Sequence, residues 1–159
     1  MIFGNPDYFA IYTDKIADWS YDNFDEGIFA YILKNEFFPK GIFLKSSTLG
    51  VYHGDLILLK KKKQKGLLDS FSIFHMDNKN LYNCLHDLSF KSNDNQELRF
   101  LILIGEMIDD VEPIFAVSYD DKIKIIYLIN DIADSIDLKK DEFLEILNNC
   151  IEWMSTNIK

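Results

Sequence analysis

Residues 114–129 read IFAVSYDDKIKIIYLI and contain the clearest hairpin pattern in the chain. Two runs rich in β-branched and aromatic residues, the types enriched in strands, flank the polar pair Asp120-Asp121. A two-residue polar break between two such runs is typical of an antiparallel hairpin. The pattern therefore predicts strands over Ile114–Tyr119 and Lys122–Ile129, joined by a tight turn.

Strand patterns elsewhere in the chain indicate a larger sheet. Three segments before the hairpin have strand character: Phe3–Thr13 after its opening Gly-Asn-Pro turn, Gly27–Lys34 and Phe37–Leu44. The pair Asn35-Glu36 is predicted to turn the chain between the last two. Pro39 has no amide hydrogen, so the third strand is predicted to lie at a sheet edge. The nearly unbroken apolar run Leu98–Ile104 is predicted to be a central strand, covered on both faces.

Apolar spacings of three and four residues, together with end signals, predict three helices. They cover Asp55–Lys65, Asp77–Leu88 and Lys140 to about Asn157. Asp55 and Asp77 are expected to be N-caps, and Gly66 to end the first helix in the left-handed conformation. The second helix is expected to bury one face: Leu81, Cys84, Leu85 and Leu88. The third is expected to bury a longer stripe: Phe143, Ile146, Leu147, Cys150, Ile151 and Met154.

The order of these elements, without a regular βαβ alternation, predicts an α+β fold. We expect a largely antiparallel sheet of about five strands, with the long C-terminal helix and one or two shorter helices packed on it. A length of 159 residues is that of one ordinary domain. Lys91–Glu97 is predicted to be a polar loop, and no repeat or Ser/Gly/Pro-rich linker divides the chain. We therefore expect a single domain over residues 1–159.

The charge of the chain excludes some partners and favours others. The formal net charge is −9, the pI is near 4.7, and Arg99 is the single arginine among seventeen basic residues. Nucleic-acid binding is not expected, because it depends on Lys and Arg side chains that neutralise phosphates. A basic protein partner fits better, since opposite net charges steer association. The first residues do not form a signal-peptide pattern and the apolar runs are too short to span a bilayer, so we expect a cytoplasmic protein without membrane contact.

The sequence contains no pattern typical of catalytic, metal or cofactor chemistry. His53-Gly54-Asp55 and His75-Met76-Asp77 each supply two potential ligands, whereas a metal site needs three or four that converge. Cys84 and Cys150 fall on apolar helix faces, where cysteine behaves as a small hydrophobe. P-loop, GxGxxG, GxSxG and HExxH motifs do not occur. We therefore expect no catalytic residue, no metal ion and no cofactor.

Two charged features leave alternatives open. Acidic residues cluster at 22–26, 106–112 and 120–121, and such clusters are either solvated turns or contacts for a cationic partner. The block Lys60–Lys65 (KKKKQK) suits the negative end of a helix dipole, with docking of an anionic partner as the alternative. Two other functions also stay open: a small hydrolase that uses two carboxylates in a cleft, and an adaptor subunit of a larger complex.

The opening Met1-Ile2-Phe3-Gly4-Asn5-Pro6, followed by Phe9-Ala10-Ile11 and Trp19-Ser20, resembles the start of immunity protein family 42 of bacterial polymorphic toxin systems. Residues 27–32 (GIFAYI), leading to Phe38-Pro39, are similar to the second strand and turn of that family. The resemblance implies a non-catalytic protein that binds and neutralises a cognate toxin domain and so protects the producing cell. The toxin is expected to be basic, with nucleases among the candidates.

Tight inhibition requires a binding free energy of about −12 kcal/mol, which charge alone does not supply. Aromatic anchors are the usual source, and the chain has five aromatic residues in predicted loops: Trp19, Tyr21, Phe24, Tyr52 and Phe71. We expect the partner-binding surface to include Trp19 and eight acidic residues: Asp22, Asp25, Glu106, Asp109, Asp110, Glu112, Asp120 and Asp121.

Overall fold

The computed structural model describes residues 1–21, 24–40, 46–91 and 99–158, and for Ile108 and Asp110 it describes the backbone alone. The strands of the described chain are β1 Ile2–Gly4, β2 Phe9–Lys15, β3 Glu26–Leu33, β4 Glu36–Phe38, β5 Ser47–Thr48, β6 Phe115–Tyr119, β7 Lys122–Ile129 and β8 Ile132–Lys139. The helices are α1 Leu49–Gln64, α2 Phe71–Phe74, α3 Asn78–Phe90, α4 Met107–Asp110 and α5 Lys140–Asn157.

The chain divides into two compact units, each assembled from separate stretches of sequence. Unit 1 contains residues 1–60, 104–111 and 144–159, and unit 2 contains residues 61–103 and 112–143. Strands β1 to β5 form the sheet of unit 1, and β6, β7 and β8 form that of unit 2. Both sheets are antiparallel and are accompanied by helices, which confirms the predicted α+β class. The expectation of a single domain over residues 1–159 stays a prediction.

Strand β3 is the centre of unit 1. Its sequence, EGIFAYIL, is buried at every position except the first. β2 pairs with it along its length, while β4 and β5 pair with its opposite ends. Successive side chains of a strand point to opposite faces, so Ile28 and Ala30 pack under Trp19, whereas Phe29 stacks on Tyr52 of α1 with 4.4 Å between ring centroids. Both faces of β3 are therefore covered.

The predicted third strand is shorter than expected but lies at the sheet edge, as Pro39 indicated. A two-residue turn at Lys34-Asn35, with φ angles of 48° and 66°, connects β3 to β4. Glu36 already pairs with Leu33, so the turn comes one residue earlier than predicted. β4 ends at Phe38, and residues 41–45 of the predicted strand lie outside the described residues.

Helix α1 begins at Leu49, six residues before the predicted start, so Asp55 is not its N-cap. Gly50 and Gly54 disfavour helix in this stretch, which is why the pattern indicated a later start. Buried side chains at the helical spacing nevertheless hold the first turns against the core: Leu49, Tyr52, Leu56 and Leu59. Asp55 lies inside the helix, where its carboxylate accepts the backbone N–H of Gly105 at 2.8 Å.

The end of α1 forms as predicted. Gly66 has a φ angle of 68°, in the left-handed region that glycine adopts without a steric cost. The Gly66 N–H donates to the Lys63 carbonyl at 3.0 Å, and the Leu67 N–H donates to the Lys62 carbonyl at 3.1 Å. These two hydrogen bonds are those of a Schellman motif, which satisfies the last carbonyl groups of the helix.

The hairpin of residues 114–129 is confirmed as β6 and β7 in unit 2. β8 pairs with the other side of β7 along its whole length. It was not predicted, because its sequence IADSIDLK contains Ala, Asp and Ser, types that are depleted in strands or neutral there.

The predicted central strand Leu98–Ile104 is wrong over its described residues 99–104; Leu98 and residues 92–97 of the predicted polar loop lie outside the described residues. Residues 100–104 are buried as expected, but within them only Leu101 forms a β-bridge, with Phe115. Two segments share the outer edge of β6: the Ala116 N–H donates to the Phe100 carbonyl at 2.8 Å, and the Ser118 N–H donates to the Leu68 carbonyl at 2.7 Å. Neither segment has enough of the edge to form a regular ladder.

The other two helices are close to the prediction. Asp77 is the N-cap of α3 and accepts the Asn80 N–H at 3.1 Å. Leu88 was expected on its buried face but is exposed. The bounds of α5 match the predicted helix, and its predicted stripe is buried except for Ile151, which is half-buried. Among the described helices, none has the length and apolar content that crossing a bilayer would require.

Candidate functional site

The connection between β2 and β3 presents two aromatic rings to solvent. We call residues 16–25 the tip loop, of which Asp22 and Asn23 lie outside the described residues. Tyr21 and Phe24 are joined by two backbone hydrogen bonds of 3.2 and 2.9 Å, and their ring centroids lie 6.1 Å apart. The two side chains are 65% and 56% exposed. Exposed aromatic side chains of this kind are frequent hot spots of protein interfaces.

The Ser20 side chain is one of the groups that close the base of the tip loop. The Ser20 hydroxyl accepts the N–H of Glu26 at 3.0 Å and donates to the Ile16 carbonyl at 3.1 Å. These contacts close the loop across the ends of β2 and β3. A loop that is already ordered loses less entropy when it binds a partner.

Trp19 and Asp25, both expected at the partner surface, have internal contacts instead. Trp19 is half-buried against Ile28 and Ala30 on one face of the sheet. The Asp25 carboxylate is almost fully buried and forms an ion pair with Lys15 at 2.8 Å. These two side chains therefore support the tip loop, while Tyr21 and Phe24 form its exposed surface.

The negative charge of the chain is concentrated in unit 1. There, thirteen Asp and Glu residues against six Lys give a net charge of −7. In unit 2, thirteen acidic residues against eleven basic ones give −2. Unit 1 therefore carries most of the net negative charge of the protein.

Helix α4 contributes exposed carboxylates to unit 1. Glu106 and Asp109 are exposed, and the side chain of Asp110 is not described. Gly105 precedes the helix with a φ angle of 54°, and a Cβ there would lie 2.8 Å from the Tyr52 ring. Burial raises the pKa of Tyr52 to about 12, against hydrogen bonds that lower it, so the hydroxyl stays neutral. Tyr52 is therefore part of the core that positions α4 and is not an exposed anchor.

Unit 2 has an exposed aromatic cluster of its own, which we call the aromatic patch: Phe71, His75 and Tyr119. The Phe71 and Tyr119 ring centroids lie 5.0 Å apart, and His75 lies 5.5 Å from each. Phe71 is 63% exposed and Tyr119 is 39% exposed. Ser70 places α2 beside β6, because its N–H donates to the Ser118 carbonyl at 2.8 Å. The patch is therefore fixed by the same sheet edge that carries Tyr119.

Asp120 and Asp121 form the turn that follows Tyr119, and both are exposed. Within the part of the chain that the structure describes, neither carboxylate forms an ion pair. Glu112, also in unit 2, is exposed as well. The structure thus brings Asp120 and Asp121 next to an aromatic cluster that the charge pattern alone did not indicate.

The residues considered for chemistry do not form a reactive site in the described structure. Both cysteines are free, and burial raises the pKa of the Cys150 thiol to about 12, which removes the reactive thiolate at neutral pH. Over the described residues, no three His, Cys, Asp or Glu side chains are grouped to hold a metal ion. A cleft of about 390 Å³ beside α3 has one acidic lining residue, Asp131, and one basic residue, Lys79.

Comparison with known proteins bears on the three hypotheses for function: an immunity protein, a small hydrolase and an adaptor subunit. Residues 1–153 match the family model of Immunity protein 42. The chain belongs to this immunity protein family. Among solved structures, the crystal structure of CdiI from Burkholderia dolosa AUO158 is similar, with a TM-score of 0.77 and 25% sequence identity over 96% of this chain and 99% of that chain. No curated protein matches the sequence.

Membership in the Immunity protein 42 family confirms the resemblance seen in the first forty residues and gives the chain its function, which is to neutralise a toxin. The family implies a non-catalytic inhibitor with a cognate toxin as partner. The site of an immunity protein is a surface that meets the toxin, and the tip loop and the aromatic patch are two exposed aromatic clusters among the described residues.

The lysine block of this immunity protein is partly internal. Lys63 is buried, and burial together with the nearby charge of Lys140 lowers the pKa of its ammonium group, while Asp69 and Asp141 act in the opposite direction. The backbone carbonyls of Lys62 and Lys63 accept the hydrogen bonds of the Schellman motif that ends α1. This arrangement supports the helix-end interpretation of Lys60–Lys65.

Sequence reasoning found some of these surface residues and missed others. Tyr21, Phe24 and Phe71 were identified as spare aromatic residues, and they are exposed. Tyr119 was assigned only to a strand, and His75 was considered only as a metal ligand. The signal that could have found them is the position of Tyr119 at the end of β6, beside the acidic turn.

Proposed function

We propose that this immunity protein inhibits a basic toxin domain by one-to-one binding, with Tyr21 and Phe24 of the tip loop as anchors. The observation that supports this most is the exposure of two aromatic rings, on a loop with an ordered base, in the unit that carries a net charge of −7. The rings supply apolar area at the centre of the contact, and the carboxylates of unit 1 supply attraction and orientation.

The acidic residues of unit 1 act mainly on the speed of association. Complementary charge raises association rates by about 10 to 1000-fold. An immunity protein benefits from such speed, since unbound toxin harms the producing cell. A basic toxin also fits a nuclease, whose substrate is polyanionic, and the proposal therefore includes a nuclease as the toxin class. Glu106 and Asp109 are the exposed carboxylates of unit 1 that we assign to steering.

Inhibition by binding alone accounts for the site better than catalysis does. A hydrolase of the kind considered above needs two carboxylates facing one substrate. The lining of the 390 Å³ cleft has the single carboxylate of Asp131. We therefore propose a protein that is not an enzyme and that acts in the cytoplasm, where a toxin would reach its targets.

The test is co-expression with the C-terminal domain of the protein encoded directly upstream, with binding measured by calorimetry and survival of the host recorded. We expect one-to-one binding at nanomolar affinity and rescue of growth. The double variant Tyr21→Ser, Phe24→Ser should weaken binding by about 100-fold or more. Tyr8→Ser is the matched control, because Tyr8 is a similarly exposed aromatic residue of unit 1, at 53%.

Three outcomes would count against parts of the proposal. Absence of binding at any salt concentration would refute inhibition by complex formation. If the double variant and Tyr8→Ser lose the same amount of toxin affinity, the tip loop is not a specific part of the interface. A stable homo-oligomer in size-exclusion chromatography, without toxin binding, would favour the adaptor alternative.

A further inference from the structure

The aromatic patch of unit 2 presents three mutually packed rings to solvent. Phe71 and His75 are four residues apart, so they leave the chain on the same side, and their rings meet edge to face. The Tyr119 ring centroid lies 5.0 Å from that of Phe71 and 5.5 Å from that of His75. Aromatic faces attract cations through the ring quadrupole, within about 6 Å of the ring centroid.

The neighbouring ring already holds a cation of the protein itself. The Lys124 ammonium lies 4.9 Å from the centroid of Phe74 and donates to the Phe74 carbonyl at 3.1 Å. Phe74 in turn lies 6.0 Å from Tyr119 and 5.3 Å from His75. The Lys124–Phe74 pair is thus a cation–π contact of the type that the exposed rings of the patch can form with a partner.

Two carboxylates follow the patch directly in sequence. Asp120 and Asp121 follow Tyr119 directly and are exposed at the turn. Lys122, the cross-strand partner of Tyr119, offsets part of their charge, so attraction at this position does not come from net charge. The selectivity would come from rings and carboxylates acting on the same group.

We propose that the aromatic patch receives an arginine side chain of the toxin. The guanidinium group is planar, stacks on aromatic faces and donates two parallel hydrogen bonds to a carboxylate. A lysine ammonium is a strongly hydrated point charge and cannot make the stacked, bidentate arrangement. The inference rests on the proposed function, since it names what the toxin presents at a second surface of the immunity protein.

The experiment is a set of binding measurements between the full chain and the toxin domain described above. Phe71→Leu and Tyr119→Leu should each weaken binding by about tenfold, because leucine keeps apolar area but removes the ring. Phe90→Leu is the matched control, since Phe90 is another exposed ring of unit 2, at 50%. Circular dichroism of each variant checks that the fold is retained.

Arginine recognition is tested by replacing the arginines of the toxin domain one at a time with lysine. One of these toxin variants should bind the wild type about tenfold more weakly and should show no further loss against Phe71→Leu. Each toxin variant is measured with the wild-type immunity protein and with Phe71→Leu. If every Arg→Lys substitution weakens binding to both by the same factor, the patch packs on an apolar group and the inference is wrong. Unchanged binding of Phe71→Leu and Tyr119→Leu would also overturn it. Failure of the wild type to bind would instead refute the proposed function.

Discussion

The Lys15 ammonium lies 2.8 Å from a carboxylate oxygen of Asp25, and this ion pair joins the end of β2 to the base of the tip loop. The carboxylate is 8% exposed and the lysine side chain 30% exposed, so the anion is the more desolvated partner. A buried charge that loses its counter-ion costs more than a pair removed as a whole.

Replacing Lys15 should therefore lower the free energy of unfolding more than neutralising Asp25 does. Lys15→Met is expected to lower the free energy of unfolding by about 3 kcal/mol. Asp25→Asn keeps the shape and removes the buried charge, and we expect a loss of about 1 kcal/mol. Urea denaturation of both variants measures the difference. Equal effects would indicate that the carboxylate is hydrated.

Two glycines of unit 1 should respond in opposite directions to alanine. Gly54 lies inside α1 with open space around an added Cβ, so Gly54→Ala should raise the free energy of unfolding by about 1 kcal/mol. At Gly105 the φ angle of 54° and the Tyr52 ring oppose a side chain, and Gly105→Ala should lower it by about 2 kcal/mol or more. Denaturation midpoints decide the signs, and stabilisation by Gly105→Ala would mean that α4 can shift.

The stability of unit 2 should fall in acid through Asp69. Burial alone would raise the pKa of this carboxyl, but hydrogen bonds from Ser118 and Lys140 and the charges of Lys140 and Lys63 hold its pKa below the usual value of 3.8. A carboxyl with a lowered pKa stabilises the fold above its unfolded pKa. That contribution is lost as the pH falls through the lower folded value.

Asp69→Asn should therefore flatten the acid side of the stability profile, measured by thermal unfolding between about pH 2 and pH 5. Asp69→Ala should also destabilise at neutral pH, by about 1–3 kcal/mol, because the fully buried Ser118 hydroxyl loses its acceptor. Asp137→Asn is the control, as Asp137 is an exposed carboxyl on β8 of the same unit. A flattened profile in the control alone would contradict the assignment to Asp69.

Neutralising acidic residues should slow toxin association more in unit 1 than in unit 2. The pair Glu106→Gln, Asp109→Asn is expected to reduce the association rate constant by about threefold to tenfold at low salt. Asp131→Asn in unit 2 should have a smaller effect. Stopped-flow measurements at several salt concentrations should show the difference shrinking as salt screens the charges. A difference that does not depend on salt would point to direct contact.

The two cysteines should react with a thiol reagent at very different rates. Cys150 is fully buried, and burial raises its pKa to about 12, whereas Cys84 is half-buried on α3. At pH 8 we expect one thiol of the native protein to react readily and the second only after unfolding. Cys84→Ala identifies the reactive thiol. Rapid modification of Cys150 in the folded Cys84→Ala variant would show that α5 opens locally.

The elements that sequence predicted well are those with local determinants. The β6–β7 hairpin follows from alternation around Asp120-Asp121, and α5 follows from one apolar stripe. The run 100–104 could not be assigned in this way, because its irregular path results from sharing the edge of β6 with residues 68–70. Likewise, Tyr52 and Phe71 both read as spare aromatic residues. Tyr52 lies in the core because α1 begins at Leu49, earlier than the sequence pattern predicted.

Which charges form a surface also depends on tertiary structure. Asp25 and Glu106 are equivalent in sequence, as members of acidic clusters, yet the first is buried with Lys15 and the second is exposed. The unequal charge of the two units could not be read along the chain either, because each unit is assembled from distant stretches.

That interleaving constrains how such a protein can change its partner. The chain passes from one unit to the other four times, after Lys60, Leu103, Val111 and Phe143. A chimera that exchanged one unit between two relatives would need four breakpoints, and a single recombination event would leave both units with mismatched cores. New specificity in this lineage is therefore expected to arise through point substitutions on exposed loops, and engineers who want an altered inhibitor should mutate those loops in place.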